Sequence, residues 1–270
     1  MASVGRLAVA ASALVLVASA SASSLAPRTP LTFVWPTSVE AEPTGSLLVV
    51  ENGTGRVLRV DPASGRTSAI ASARKAYSVA RTPGGRILFS AGDGIRRVGA
   101  SGSSTVVARA GAQIGPVAAA RDGDVYFTTA TAVYRLAGGT GAPRRLAVGF
   151  SSPHGIAVAA DGTLLVSDTD NAVVKRIDPA TGAVTTFAEL GTPRGLAVAG
   201  DGTVYAIDAT PQRIVHLSST GRRLGFVGPV FGDAYDLAVG WRGRLYVVDT
   251  AAVGTVKRVE PDGTATTLSH

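Results

Sequence analysis

Short apolar runs, each broken by a polar turn that carries glycine, recur along the chain from about Thr32 to His270. The stretch after Ser151 shows the pattern most cleanly. Ile156-Ala157-Val158 forms one apolar run, and Asp161-Gly162 is a hairpin signal because glycine accepts the positive φ of a tight, two-residue connection. A second run follows at Leu164 to Ser167, then a polar loop, then a third run at Val173 to Ile177. Asp178-Pro179-Ala180-Thr181-Gly182 supplies the next turn, with proline presetting φ at the first corner and glycine taking the left-handed position. Val184 to Phe187 completes the set. Asp61-Pro62-Ala63-Ser64-Gly65 repeats the same turn earlier in the chain. Beyond residue 22 no stretch sustains a 3.6-residue apolar period, so these runs are strands.

The strands come in units of four. The glycine after the first apolar run of each unit is Gly45, Gly85, Gly123, Gly162, Gly202 or Gly243, spaced 40, 38, 39, 40 and 41 residues apart. The first apolar residue keeps register with them: Val39, Val79, Val117, Ile156, Leu196 and Leu237. Four strands per unit, six times over, predict an all-β fold, a six-bladed β-propeller of four-stranded antiparallel blades filling residues 32–270. The blades fall at about 37–74, 75–112, 113–150, 151–190, 191–232 and 233–270. Two segments compete for the outermost strand of the last blade: Ala265 to Leu268, and Leu31 to Val34 from the other end.

Ahead of the repeats, a single charge at Arg6 precedes the uncharged run from Leu7 to Ala20. Fourteen residues span only about 21 Å as a helix, short of the roughly 30 Å of a bilayer core. Ala18-Ser19-Ala20 and Ala20-Ser21-Ala22 are both small-x-small cleavage patterns, so residues 1–22 are expected to be a secretory signal peptide and 23–31 a short linker. The mature protein is expected outside the cytoplasm, secreted or periplasmic, as a monomer without a membrane span.

Composition narrows the chemistry. Zero Cys removes disulfides, thiolate metal sites and a cysteine nucleophile, and no G-x-S-x-G elbow, H-E-x-x-H helix or Walker lysine loop is present. A net charge of +7 raises the question of nucleic acid. However, Arg59, Arg97, Arg135, Arg176, His216 and Arg258 occupy one repeat position on the third strands. That placement spreads the cations around the ring instead of concentrating them on one face, and no specific nucleic-acid partner is expected. Asp168, Asp208 and Asp249, with Glu51 in the first blade, recur six residues after the turn glycine and read as loop caps accepting backbone N–H bonds.

The segment PHGIAVAADGTLLVSDTDNAVVKRIDPATG, Pro153 to Gly182, resembles NHL-repeat propellers and also the gluconolactonase-like and streptogramin-lyase-like propellers. That resemblance implies that the innermost strand of each blade lines an axial channel, with the residue two before its first apolar position at the channel mouth. Those residues here are Thr37, Tyr77, Gly115, His154, Arg194 and Tyr235. In gluconolactonase-like enzymes this rim supplies Glu, Asn and Asp to one divalent cation. Here Pro36 or Thr37, His154 and Tyr235 stand at those places, leaving no carboxylate at the six positions. The Pro153-His154-Gly155 segment also resembles a zinc-ligand site of peptide-amidating lyases. Three His in the whole chain, with His216 on an outer strand and His270 terminal, do not make a three-histidine site.

The expected site is therefore ligand binding by Tyr77, His154, Arg194 and Tyr235, with His154 as the candidate general base, its proton affinity lowered by Arg194. No cofactor is expected; a divalent cation would need acids recruited from elsewhere, such as Asp168, Asp208 and Asp249. The leading expectation is a binding or interaction module for a protein, glycan or small anionic or aromatic ligand. The alternatives are a metal-dependent hydrolase or lyase on the same rim, and a structural repeat protein of the cell envelope.

Overall fold

The computed structural model describes residues 29–251 and 253–269. The expected signal peptide, most of the linker and His270 lie outside them. Six separate sheets follow one another along the chain, each of four antiparallel strands in sequential order. The innermost strands are Pro36–Ala41, Ala76–Arg81, Val117–Ala119, Pro153–Val158, Pro193–Val198 and Ala234–Val239. The chain is thus an all-β, six-bladed propeller. No helix among the described residues is long and apolar enough to cross a membrane.

The turns explain the repeat. All six period-marking glycines sit at positive φ, from +73 to +92°, where a side chain is strained. The connection is longer than the two-residue turn expected from Asp161-Gly162. Gly162 N–H donates to Ala159 O (2.9 Å) and Ala159 N–H to Thr163 O (2.8 Å). Ala160 and Asp161 therefore take the corners, and Gly162 follows as a left-handed bulge. At the outer turn, Asp178 accepts from Ala180 N–H (2.8 Å) and the Thr181 hydroxyl (2.9 Å). Asp61 does the same with Ala63 N–H at 2.9 Å.

Packing explains why the second strands are continuously apolar instead of alternating. There are six hydrophobic clusters, one between each pair of neighbouring blades. Side chains alternate across a strand, so Leu47 and Val49 enter the cluster shared with the sixth blade, while Leu48 and Val50 enter the one shared with the second. Each such fully buried side chain contributes about 1.5–3 kcal/mol of burial free energy. The ring closes with both competing segments. Ala265–Thr267 is the outermost strand of the last blade. The N-terminal segment bridges it, with Leu31 N–H donating to Leu268 O and Phe33 N–H to Gly254 O, both at 2.8 Å. Leu31, Phe33 and Leu268 are buried in the cluster between the sixth and first blades.

Candidate functional site

Four of the six rim positions converge. The Tyr77 and Tyr235 hydroxyls are 2.7 Å apart across the channel, and their rings meet edge to face. The His154 ring stands perpendicular to Tyr235 with centroids 5.9 Å apart. The Arg194 guanidinium lies 5.5 Å from the centre of the Tyr235 ring. Thr37 turns away, donating to the Tyr77 carbonyl at 2.6 Å. Gly115 offers no side chain, and a cavity of about 330 Å³ opens beside it, lined by Tyr77, Thr128, Ser152, His154 and Tyr235.

His154 has a defined tautomer. The Thr169 hydroxyl donates its one hydrogen to the Pro193 carbonyl (2.7 Å), and His154 Nδ1 lies 3.0 Å from the same oxygen. Nδ1 must therefore carry the proton, which leaves Nε2 with the lone pair in the neutral ring. Burial lowers the imidazole pKa below 6.5; Arg194 lowers it further and the Ser152 carbonyl partly opposes. The direction matches the sequence expectation, but desolvation outranks the neighbouring cation as its cause. Replacing Arg194 with methionine should move the His154 pKa up while leaving it below 6.5, as read by imidazole NMR titration. An unchanged pKa would mean that Arg194 has no electrostatic hold on the ring.

Arg194 is a latch between the fifth and sixth blades. It donates from Nη1 to Asp233 Oδ1 (2.6 Å) and to the Ala234 carbonyl (3.1 Å). Burial raises the Asp233 pKa, but the Thr250 hydroxyl and Arg194 outweigh it and hold the carboxyl below its usual range. The tyrosine pair contains two phenolic hydrogens and one mutual hydrogen bond, so one O–H is left to donate onward. Burial pushes both phenols above 10, so both keep their protons.

Two channel carboxyls escaped the sequence reading. Asp236, next to Tyr235, accepts from Val39 N–H (3.0 Å) and Leu237 N–H (2.9 Å), and burial pushes it up to about 6. Glu40 is pushed up to about 8 by burial and then by Asp236. Both are partly buried and line a small cavity within the channel. The repeat register held the signal. The residue just after the first apolar position is Ala80, Ala118, Ala157, Ala197 or Ala238 in five blades, and Glu40 in the other.

The loop-cap reading fits the hydrogen bonds. Asp168 accepts from Ser151 N–H (2.6 Å) and the Asn171 amide (2.8 Å), and pairs with Lys175 at 2.6 Å. Asp208 accepts from Thr192 N–H, and Asp249 from Asp233 N–H, each at 2.8 Å. Glu51 accepts from Val34 N–H (3.0 Å) and pairs with Arg56. These acids are buried and already partnered, so they do not reach the rim. On the third strands, Arg59 pairs with Glu42, Arg135 with Asp124 and Arg258 with Glu260. His216 stacks on Tyr205, away from the mouth.

The rim does not fit the divalent cation of the gluconolactonase-like enzymes. No group of three His, Asp or Glu side chains among the described residues converges on a point. The mouth instead holds a hydroxyl pair, a neutral imidazole and a guanidinium, which is a poor donor set for a hard cation.

The profile of the family described as SMP-30/Gluconolactonase/LRE-like region matches residues 35–229, and the chain belongs to that family. Solved structures share the fold at low identity. A gluconolactonase from Xanthomonas campestris is 20% identical with a TM-score of 0.73, the match covering 85% of this chain and 88% of that one. A calcium-binding regucalcin from Agrobacterium tumefaciens is 17% identical with a TM-score of 0.73, covering 90% and 93%. A virginiamycin B lyase from Staphylococcus aureus is 13% identical with a TM-score of 0.66, covering 90% and 88%. Among curated proteins none matches the sequence.

Proposed function

We propose that the protein is a ring-opening hydrolase for small cyclic esters that works at the channel mouth without a metal. The observation that carries this reading is a neutral His154, its Nδ1 proton fixed on Thr169, beside a tyrosine pair with one O–H to spare. Its Nε2 accepts a proton from water as the water oxygen attacks the ester carbonyl. The spare phenol donates a hydrogen bond to the carbonyl oxygen as charge develops there. The ring C–O bond then breaks, and the imidazolium returns its proton to the leaving alkoxide, giving a hydroxy acid. A mouth cavity of about 330 Å³ suits a ligand the size of a monosaccharide lactone. Family membership supports this class of chemistry over the recognition module expected from the sequence. On the strength of the Leu7–Ala20 signal sequence, we place the activity outside the cytoplasm.

The test is turnover of a panel of five- and six-membered lactones, with and without hydroxyl substituents, by the mature chain and by His154→Ala. Turnover should fall by about 10²–10⁴ in the variant, the usual range for loss of a general base. Equal turnover by both proteins would overturn the reading. Saturable lactone binding without turnover in the native protein would return the mouth to a recognition role.

A further inference from the structure

The face of the ring opposite the mouth carries another cavity, at the seam between the last blade and the first. The innermost strands end there in their glycine turns, Glu42 to Ser46 in the first blade and Gly240 to Arg244 in the sixth. A cavity of about 350 Å³ opens between these turns and the Asp61-Pro62-Ala63 turn, walled also by Trp241, Arg244 and Tyr246. Those last three side chains depart from the repeat or lack partners.

Trp241 takes the turn corner that is Pro43, Pro83, Arg121, Ala160 or Gly200 in the other blades, and it is 58% exposed. The Arg242 guanidinium lies 4.0 Å from its ring centre and braces one face of the indole. Arg244 follows the turn glycine, as Arg86 does in the second blade. Arg86 donates to the Gly138 carbonyl of the adjoining blade at 3.2 Å, but the Arg244 guanidinium has no partner among the described residues. Tyr246 is only 6% exposed, and its ring passes Gly240 with Cε2 closer than Cδ2, which carries the hydroxyl toward the turn. That hydroxyl makes no hydrogen bond among the described residues and is not sealed in protein, so it opens on the cavity.

We propose that this cavity binds a neutral pyranose ring, its C–H face on Trp241 and its hydroxyls on Tyr246, Arg244 and Asp61. Charge selects against an ion. Glu42 is engaged at both oxygens by Arg59, at 2.6 and 2.9 Å, so the charges left facing a ligand are the Arg244 cation and the Asp61 carboxylate, one of each sign. Each Asp61 oxygen accepts one hydrogen bond from its own turn and keeps a lone pair for another. An alkyl ligand would leave the guanidinium and the phenol covered without partners. A sugar hydroxyl both donates and accepts, so a ring of them serves the donor, the acceptor and the two-way phenol alike. The volume suits one such ring. The cavity lies at the other end of the innermost strands from His154, so this proposal and lactone turnover fail independently.

Trp35 and Trp241 are the two tryptophans of the chain, so Trp35→Phe makes Trp241 the only indole reporter. The methyl glycosides of glucose, galactose, mannose and N-acetylglucosamine are titrated into that protein, with glycerol and cyclohexanol as controls. At least one glycoside should change the Trp241 emission saturably, with a Kd on the order of 1–10 mM for a single ring. Glycerol has hydroxyls without the ring face and cyclohexanol has the ring with one hydroxyl; neither should bind in that range. Adding Tyr246→Phe keeps the buried ring and should weaken glycoside binding about three- to tenfold, the range for one lost hydrogen bond. Adding His154→Ala should leave the Kd unchanged. No saturable change with any glycoside up to about 100 mM would overturn the proposal. So would equal binding of either control, an unchanged Kd in Tyr246→Phe, or loss of binding in His154→Ala.

Discussion

Asp168→Ala is expected to lower the melting temperature by about 10 °C or more. The carboxylate is fully buried and serves three partners at once: Ser151 N–H, the Asn171 amide and the Lys175 ammonium. Lys175 is itself only 20% exposed and keeps only the Gly149 carbonyl (2.8 Å) and the Phe150 ring, so truncating Asp168 leaves a largely buried cation without its counter-charge and the Ser151 N–H without its acceptor. Breaking a buried pair from one side costs about 3–5 kcal/mol. For a chain of this length each kcal/mol moves the transition by about 2–4 °C. Asp161→Ala is the control, because Asp161 is 58% exposed, caps its own turn and reaches Arg176 only at 4.0 Å. That change should cost at most about 1 kcal/mol. Calorimetric melts of the two variants side by side make the comparison; equal losses would contradict the capping account of the recurrent acid.

Glu40→Ala is expected to stabilise the protein at alkaline pH, against the usual direction for a mutation. The carboxyl pKa is about 8 in the fold against an ordinary 4.5, chiefly through burial. Between those values the native chain holds a proton that the unfolded chain has released. Stability therefore falls as pH rises from about 4.5, and the loss is complete above about 8. Asp236, at about 6, adds to the same slope. A shift of this size corresponds to at most about 5 kcal/mol, and coupling to Asp236 makes part of it common to both groups. Alanine removes the ionising group and restores the residue found at Ala80, Ala118, Ala157, Ala197 and Ala238. The variant's melting temperature should exceed the native value by several degrees near pH 9 and converge with it near pH 5. A gap that does not change with pH would contradict a buried, proton-holding Glu40.

The same residue shows where sequence reading succeeded and stopped. Repeat arithmetic from Gly45 to Gly243 located all six blades because a turn glycine at positive φ is a local requirement that survives divergence. The mouth was legible for a related reason. A rim position is defined by register alone, so Tyr77, His154, Arg194 and Tyr235 could be assembled without coordinates. Asp236 and Glu40 lie one and three residues deeper than the rim column, where the resemblance implies no ligand contact. What register does not carry is side-chain direction. Arg194 stands at the expected rim position, and its guanidinium also bonds Asp233, a residue in the loop of the next blade whose position depends on tertiary packing. The proton on Nδ1 of His154 was also beyond reach, because it follows from a hydroxyl donating to a carbonyl on a third element. Closure used both competing segments, since hydrogen bonds at Leu31 and Phe33 satisfy groups that the last blade alone leaves open.

The central claim is that the mouth performs base-catalysed ring opening without a metal. The most direct measurement is kcat/KM for the best lactone after exhaustive chelation, repeated with calcium, manganese or zinc restored. The account predicts the same value in every arm, with the metal-free rate depending on a group whose pKa lies below 6.5, the direction set for His154. Activity lost on chelation and restored by one of these ions would contradict it.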